Sequence, residues 1–359
     1  MKRLVFSLLL STTLIAQMPE RPLRPVSTFS IVARDPQTGE IGVAVQSHWF
    51  SVGQIVPWAE AGVGAVATQS FVDPSYGKNG LELMETGKTA RDTLRGLLMA
   101  DHGRGVRQVA MIDAQGDVVV WTGGKDIEAA GHVAGGDTPT AEIDRQRLPA
   151  GMDGRISWGK NYSVQANLMS NDRVWPAMAK AFEQSKGDLA ERMLAALDAA
   201  QSVGGDIRGR QSAALIVVKA KSSGRPWEDR IFDLRVDDAE YPLQELRRLG
   251  ALQRAYNHMN AGDLAVEHKD QEGALREYAA AEQIAVGTEG VPASRLAEMR
   301  FWHAVALVNM KRVDEALPIF EKVFAGTDGA NWRELVGRLP HSELLPDDKT
   351  LIQRIQAVK

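Results

Sequence analysis

The sequence predicts a layered α+β region followed by an all-helical region. Two observations support this fold class. Strand patterns and helix patterns alternate in separate groups from residue 28 to residue 238, and from about Pro242 the strand patterns stop while Ala, Leu, Glu and Arg dominate. Strands and helices segregated in this way favour sheets inside and helices outside. We therefore expect one domain at residues 28–240 and a helical domain at residues 241–359.

The chain opens with a segment typical of exported proteins. A basic start is followed by an apolar run from Leu4 to Ala16 that ends at a small residue, which is the pattern of a cleaved signal peptide. The alternative is an uncleaved apolar tail. We expect residues 1–16 to be the signal peptide, residues 17–27 to be a proline-rich extended linker, and the protein to be periplasmic or secreted.

Composition excludes several classes of site and partner. The 359 residues include no cysteine, so disulfides and thiolate zinc sites are excluded. The net charge is −4 and no basic run stands out, so no nucleic-acid partner is expected. After the leader, no segment approaches the roughly 20 apolar residues of a membrane helix. No metal or other cofactor is predicted, and a homo-oligomer is compatible with the sequence.

Strands are predicted by apolar runs bounded by turn residues. The turn that joins the first two, Asp35-Pro36-Gln37-Thr38-Gly39, supplies both a fixed φ and a glycine that tolerates positive φ. Residues 123–165 are rich in glycine with few periodic apolar residues, which predicts a long functional or mobile loop. In chain order the predicted strands are 28–33, 41–45, 62–69, 106–113, 118–122, 211–219 and 229–236.

Helical periodicity predicts four helices in the first domain. Thr89 with Asp92 three residues later forms a near capping box, and Asp188 is an N-cap before a face of apolar residues. The predicted helices are 80–86, 89–100, 172–184 and 189–201.

The helical domain contains two helix-turn-helix units, residues 260–279 and 303–320, that can be aligned. In each, a small residue on the first helix precedes an alanine on the second by twelve positions, and an aromatic residue follows that alanine. The pairs are Ala274 with Tyr278 and Ala316 with Phe320. This spacing resembles the tetratricopeptide pattern, in which small residues allow close helix crossing. Two units fall short of the roughly three needed for independent stability, so contacts with the first domain are expected.

Thr28 is the first candidate catalytic residue. A hydroxyl residue at the start of a strand becomes a nucleophile when cleavage before it frees an α-amine that serves as its base. The alternative is a β-branched residue that merely begins a strand. Ser27 and Ser30 are weaker versions of the same idea. His48, at the end of the second strand, is the candidate base; the alternative is a polar residue at a sheet end.

Two polar clusters predict a substrate site. Asn161 and Gln165 belong to a group of carboxamides that suits a polar substrate or an oxyanion, although turn formation explains them equally well. Asp206, Arg208 and Arg210 lie on a glycine-rich turn and can anchor a carboxylate or form an internal salt bridge. We expect the two arginines to face the same cleft as Asn161, Gln165 and the start of the first strand.

Several motifs between residues 28 and 238 carry a family resemblance. They are Thr28-Phe29-Ser30-Ile31-Val32-Ala33, Gly42-Val43-Ala44-Val45, Val56-Pro57-Trp58-Ala59, Gly64-Ala65-Val66-Ala67-Thr68-Gln69, Pro74-Ser75-Tyr76-Gly77 and Gly205-Asp206-x-Arg208-Gly209-Arg210-Gln211-Ser212-Ala213. Together they resemble the DUF1028 family. The region from residue 301 to residue 345 is similar to a small peptidoglycan-binding domain often attached to that family.

The resemblance implies an αββα four-layer sandwich of the N-terminal-nucleophile (Ntn) hydrolase type, and it strengthens Thr28 as the nucleophile. Thr28 lies well inside this chain, and strands 40–47 and 63–70 carry no lysine beside it. Either a second processing step exposes Thr28, or the domain has the fold without that chemistry.

Two functions are therefore expected from the sequence. The first is hydrolysis of an amide or related C–N bond in a small polar or peptide-like substrate. The alternative is a non-catalytic cell-envelope binding module, in which the helical domain holds a protein or a cell-wall glycan-peptide.

Overall fold

A computed structural model describes residues 25–136 and 153–358. The predicted signal peptide and residues 17–24 of the predicted linker lie outside the described residues. Within them the chain forms two antiparallel sheets and a carboxyl-terminal region made only of helices. The α+β class is thus confirmed. No helix in residues 25–136 or 153–358 is long and apolar enough to cross a membrane.

The six-stranded sheet carries the start of the first strand at its centre. From one edge to the other it contains β11 (Arg230–Val236), β10 (Ser212–Val218), β2 (Ile41–Ser47), β1 (Thr28–Arg34), β9 (Tyr162–Ala166) and β7 (Gly131–Ala134). β1 runs antiparallel to both β2 and β9, with Thr28 opposite Ser47 at one end and Arg34 opposite Ile41 at the other. The two ends of β1 therefore lie at opposite ends of the domain.

The second sheet has five strands and packs face to face on the first. Its order is β3 (Pro57–Glu60), β4 (Gly64–Ser70), β5 (Arg107–Asp113), β6 (Asp117–Gly123) and β8 (Gly154–Lys160). A layer of small and β-branched residues fills the space between the sheets, with Val43 and Val45 from one and Ala110 and Ile112 from the other. Such side chains suit two pleated surfaces in contact.

A pair of helices covers the outer face of each sheet. α1 (Ser75–Glu85) and α2 (Ala90–Ala100) pack on the five-stranded sheet, and α3 (Val174–Gln184) and α4 (Leu189–Ser202) pack on the six-stranded sheet. Both predicted N-caps are confirmed. The Thr89 hydroxyl accepts from Asp92 N at 3.1 Å, and the Asp188 carboxylate accepts from Glu191 N at 2.7 Å.

The prediction of a loop over residues 123–165 is wrong. The described part of this stretch contains β7, β8 and most of β9, while residues 137–152 lie outside the described residues. β9 alternates Tyr162 and Val164 on the helix side with Ser163 and Gln165 on the side that faces the other sheet. The asparagines on either side of this five-residue strand favour turns, and in the sequence alone that signal outweighs its short alternating pattern.

In the described residues after the last strand, the helical region consists of six α-helices. The first of them, α5 (Pro242–Glu267), lies against the first region: Arg254 Nε is 2.6 Å from Asp188 Oδ2, and Arg247 Nη1 is 2.7 Å from Glu191 Oε1 on α4. This contact agrees with the expected dependence of the helices on the first region. The helices are α5 (Pro242–Glu267), α6 (Gln271–Gly287), α7 (Ala293–Asn309), α8 (Val313–Phe324), α9 (Gly329–Val336) and α10 (Lys349–Gln356).

The predicted alanine–aromatic pairs lie at the helix crossings. Ala274, Tyr278, Ala316 and Phe320 are all buried. At Gly262 on α5, an added Cβ would lie 2.9 Å from the Tyr278 ring, so the glycine permits the close approach of α5 to α6.

Replacing Ala316 by Phe should destabilise the helical region by about 1–3 kcal/mol, because the added ring overpacks a site with no exposed surface. Thermal unfolding followed by circular dichroism measures this loss. Glu321→Phe places the same ring at an exposed position of α8 and should leave the melting temperature nearly unchanged. Equal melting temperatures for Ala316→Phe and the wild type would contradict the crossing.

Candidate functional site

The start of β1 is enclosed on every side. Thr28 has no exposed surface, and its hydroxyl donates to the carbonyl of Val26 at 2.7 Å. The Thr28 carbonyl accepts from Gln69 Nε2 at 3.1 Å and from Asn167 N at 3.2 Å. Strands of both sheets therefore hold Thr28 in place, because Gln69 belongs to β4 and Asn167 follows β9.

The residues before Thr28 cross from one sheet to the other. Val26 forms an antiparallel bridge with Ser70 at the end of β4, with N···O distances of 2.6 Å and 3.1 Å. Its side chain is 1% exposed and belongs to the apolar layer between the sheets. Because the chain continues upstream of Thr28, the Thr28 nitrogen is here a peptide amide, without the basicity of a free α-amine.

The carbonyl that joins Ser27 to Thr28 accepts two side-chain hydrogen bonds. Arg208 Nη2 donates to Ser27 O at 3.0 Å, and the Ser47 hydroxyl also donates to it. The buried Asp206 carboxylate fixes the guanidinium, accepting from Arg208 Nε at 3.1 Å and from Nη2 at 2.8 Å. Asp206 and Arg208 thus form the internal salt bridge, and the same guanidinium points at the Ser27 carbonyl. Two donors on one carbonyl oxygen stabilise negative charge that develops there.

His48 lies beside this carbonyl only through its backbone. Its N–H donates to Asp206 Oδ2 at 3.2 Å, whereas its imidazole is exposed. An added Cβ at Gly209 would lie 3.6 Å from His48 Nδ1, so the ring lies over the glycine-rich turn. The fully buried Thr28 hydroxyl is bonded to Val26 instead. A role for His48 as the base stays a prediction that this arrangement does not favour.

The prediction that all the candidates face one cleft is wrong for Asn161 and Arg210. Asn161 occupies the turn before β9 at a φ of 66°, and its carbonyl accepts from Arg34 N at the far end of β1. β9 has five residues and is about 17 Å long at roughly 3.3 Å per residue. Arg210 Nε donates to Glu240 O at 2.7 Å, and its guanidinium stacks 4.2 Å from the Tyr241 ring beside the start of α5.

Gln165 belongs to a buried polar network between the sheets that sequence reasoning did not predict. Each member donates to the next: Gln165 Nε2 to Ser30 Oγ at 2.6 Å, Ser30 Oγ to Gln69 Oε1 at 2.6 Å, and Gln69 Nε2 to Gln108 Oε1 at 2.6 Å. Gln108 Nε2 then donates to Thr122 Oγ1 at 2.9 Å. Because Gln69, in the middle of this network, also donates to the Thr28 carbonyl, the network positions the start of β1.

The network ends at His132 on β7. The Thr122 hydroxyl lies 2.7 Å from His132 Nδ1, and His132 Nε2 lies 3.0 Å from Ser157 Oγ. Since the single Thr122 hydroxyl proton is available for Nδ1, we assign the ring proton to Nε2, which donates to Ser157. Burial, with a smaller effect from the positive charge of Arg155, lowers the pKa of His132 to about 3. The imidazole is therefore neutral at physiological pH.

Asp126 is a second functional candidate that the sequence did not reveal. Its Oδ1 accepts from the Ser70 hydroxyl at 2.8 Å, beside the Val26–Ser70 bridge. Its Oδ2 is buried and has no hydrogen-bond partner among the described residues. Burial raises the pKa of Asp126 to about 7. Hydrogen bonds from the Ser70 side chain and the Gly123 backbone, and the positive charge of Arg107, oppose this rise. A carboxyl that titrates near neutrality at this end of the sandwich can exchange protons.

Replacing Asp126 by Asn should stabilise the protein relative to the wild type by an amount that grows as the pH rises. The folded-state pKa is raised above the unfolded value of about 3.9, so folding favours the protonated form. The stability that the protonated Asp126 contributes to the wild type is fully present below about pH 4 and is lost as the pH rises to about 7. Melting temperatures of both proteins between pH 4 and pH 8 measure the difference, with exposed Asp92→Asn as the control. Parallel curves would contradict the raised pKa.

The described residues hold no group of three or more His, Asp or Glu side chains arranged to bind a metal ion. What they bring together at the start of β1 is an enclosed hydroxyl, a carbonyl with two donors, a fixed guanidinium and a buried carboxyl of raised pKa. These groups suit acyl transfer at the carbonyl of Ser27 or of a ligand in its place.

Comparison with known proteins shows similarity to a protein family and to solved structures. The model of a family of unknown function, DUF1028, matches residues 28–141 and 150–246. A crystal structure of a DUF1028 protein from Silicibacter pomeroyi is 27% identical to this chain, with a TM-score of 0.49, and the match covers 62% of this chain and 87% of that one. None of the curated proteins matches this chain.

Proposed function

This chain belongs to DUF1028, a family of unknown function, and we propose that it is an amide hydrolase whose nucleophile is Thr28, exposed when the Ser27–Thr28 bond is cleaved. One observation carries the proposal. The carbonyl of that bond accepts from Arg208 Nη2 at 3.0 Å and from the Ser47 hydroxyl, directly next to the Thr28 hydroxyl along the chain.

The first step is cleavage of the chain by its own hydroxyl. Thr28 Oγ1 attacks the Ser27 carbonyl carbon, and the negative charge on the carbonyl oxygen is stabilised by Arg208 and Ser47. Collapse breaks the C–N bond, transfers the acyl group to Oγ1 and leaves the Thr28 nitrogen as an amine. Water then hydrolyses the ester, releasing a carboxylate at Ser27 and a free hydroxyl at Thr28.

Cleavage supplies the base that the intact chain lacks. The freed α-amine has an unperturbed pKa of about 7.7–8.0, which is close to the working pH of a general base. For cleavage itself the candidate proton carrier is Asp126, which would take the Oγ1 proton and return it to the Thr28 nitrogen as the C–N bond breaks. Its carboxyl contacts the Ser70 hydroxyl beside Val26 and has a pKa of about 7.

The layer order supports an Ntn-type fold for this domain. A helix pair, two sheets in contact and a second helix pair form four layers, with the proposed nucleophile at the start of a central strand. We also propose that the leader, which lies outside the described residues, directs export before Thr28 is exposed.

A groove favours the second candidate function, a cell-envelope binding module. It lies where the last strand meets the helical region, has a volume of about 1180 Å³, and is lined by charged side chains that include Arg235, Glu245, Arg248 and Glu289. Such a groove suits a peptide-like or glycan-peptide ligand held without chemistry.

The mature amino terminus tests the proposed function. Intact-mass measurement and amino-terminal sequencing of the purified protein should find Thr28 as the first residue, with hydrolysis of amide substrates by that form. A terminus near Gln17 together with amide hydrolysis would contradict the mechanism, and a terminus near Gln17 without hydrolysis would favour the binding module.

A further inference from the structure

We propose that the residues around positions 25–27 form a binding site for the acyl side of a peptide. The site takes an extended segment with an apolar residue where Val26 lies and, where Ser27 lies, a small residue that ends in a carboxylate. The chain's own residues 25–27 occupy this site until cleavage, as a ligand covalently joined to Thr28. The inference rests on the proposed function and specifies what that site binds.

The backbone of Val26 is held as a peptide ligand is held at a sheet edge. Its N–H donates to Ser70 O at 2.6 Å, and its carbonyl accepts from Ser70 N at 3.1 Å. Ser70 is the last residue of β4, and Val26 adds one antiparallel pair to β4 beyond the pairs that β3 forms with it. Main-chain bonds of this kind give affinity without regard to sequence, and side-chain pockets then give specificity.

The side chain of Val26 fills an apolar pocket between the sheets. It is 1% exposed and belongs to one cluster with Val45, Val52 and Val56. A charged residue in this pocket would lose its hydration without gaining an ion pair from these neighbours. The pocket therefore selects an aliphatic residue at this position of a ligand.

Ser27 defines a narrow and polar end of the site. The residue has no exposed surface, and its hydroxyl has no hydrogen-bond partner in the described part of the chain, so the enclosure admits a small side chain without demanding a hydroxyl. Cleavage converts the Ser27 carbonyl into a carboxylate. Arg208, which already donates to this oxygen at 3.0 Å and is fixed by Asp206, then faces a full negative charge.

Binding of a tripeptide to the emptied site tests the inference. The probe is Pro-Val-Ser with an amino-terminal fluorophore and a free carboxylate, and its anisotropy is measured with the chain that begins at Thr28. We expect binding, and binding at least about tenfold weaker for Pro-Asp-Ser and for the carboxamide of Pro-Val-Ser. The full-length Thr28→Ala chain, in which residues 25–27 stay in place, should not bind.

A full-length variant keeps the test independent of the shortened chain. Val26→Asp combined with Thr28→Ala places a charge in the apolar pocket, which should expel the segment and allow Pro-Val-Ser to bind, whereas Thr28→Ala alone should not. Equal affinities for the three peptides, or failure of both the shortened chain and the double variant to bind, would overturn the acyl site. Failure of the proposed function is seen separately, as a wild-type chain that stays uncleaved between Ser27 and Thr28.

Discussion

Thr28→Ala should leave the chain joined between Ser27 and Thr28 and reduce amide hydrolysis by at least about a thousandfold, because it removes the only proposed nucleophile. The fold should persist. The variant loses one hydrogen bond, from the hydroxyl to Val26 O, and a small volume at the start of β1, a loss of about 1–2 kcal/mol. Intact mass measures the cleavage, a released-amine assay measures turnover, and the melting temperature checks the fold.

Two substitutions separate loss of the nucleophile from loss of packing. Thr28→Ser keeps a hydroxyl and should retain cleavage at a reduced rate. Thr93→Ala removes another buried threonine hydroxyl, on α2 at the outer face of the five-stranded sheet, and should leave cleavage and turnover unchanged. Cleavage at residue 27 in the Thr28→Ala chain would show that a separate protease makes the cut, and full turnover there would exclude Thr28 as the nucleophile.

Most strands of the first region and its four helices could be predicted because their signals are local, whereas β3, β7, β8 and β9 were not predicted. Thr89 and Asp188 cap α2 and α4 through backbone amides three residues away, a contact that depends on sequence spacing alone. The strand at Thr28 follows from its apolar run. β3 gave no such signal, because it has four residues and begins with Pro57 at the edge of its sheet.

The candidate site was predicted less completely because it depends on long-range pairing. Asn161 and Asn167 look equivalent in the sequence, yet β9 places them at opposite ends of the domain. Asp206 and Arg208 were correctly grouped, since they are two residues apart on one turn. The hydrogen bond from Arg208 to Ser27 joins residues that are 181 positions apart in the chain, which no local pattern encodes.

The buried network shows the same limit for composition. Glutamine is mostly exposed in folded proteins, so residue type alone does not mark Gln69 and Gln108 as members of a buried network. In the fold each is fully buried, and their carboxamides are satisfied by partners from both sheets. Hydrogen bonds in an unbroken chain strengthen one another, and here they fix which faces of the two sheets are in contact.

His132 should make the folded state sensitive to acid, by an amount on the order of 4 kcal/mol between pH 7 and pH 3. The pKa of His132 is lowered from about 6.5 to about 3 in the folded state, chiefly by burial. As the pH falls below 6.5, the unfolded chain binds a proton on this residue and the folded chain does not. The stability contributed by the neutral imidazole is therefore present above pH 6.5 and is lost as the pH falls towards 3.

His132→Gln measures this contribution as a difference in the slope of the free energy of unfolding against pH. The glutamine side chain does not titrate, and its carboxamide offers a donor and an acceptor to Ser157 and Thr122, so the variant should be less stable at pH 7 but lose less stability on acidification. Free energies of unfolding from urea titrations between pH 7 and pH 4 give both slopes. Exposed His102→Gln is the matched control and should follow the wild-type slope, because water solvates this imidazole in both the folded and the unfolded chain. Coincident slopes for His132→Gln and the wild type would mean that the imidazole is protonated within the fold, and that the network ends in a charge instead of the neutral ring assigned between Thr122 and Ser157.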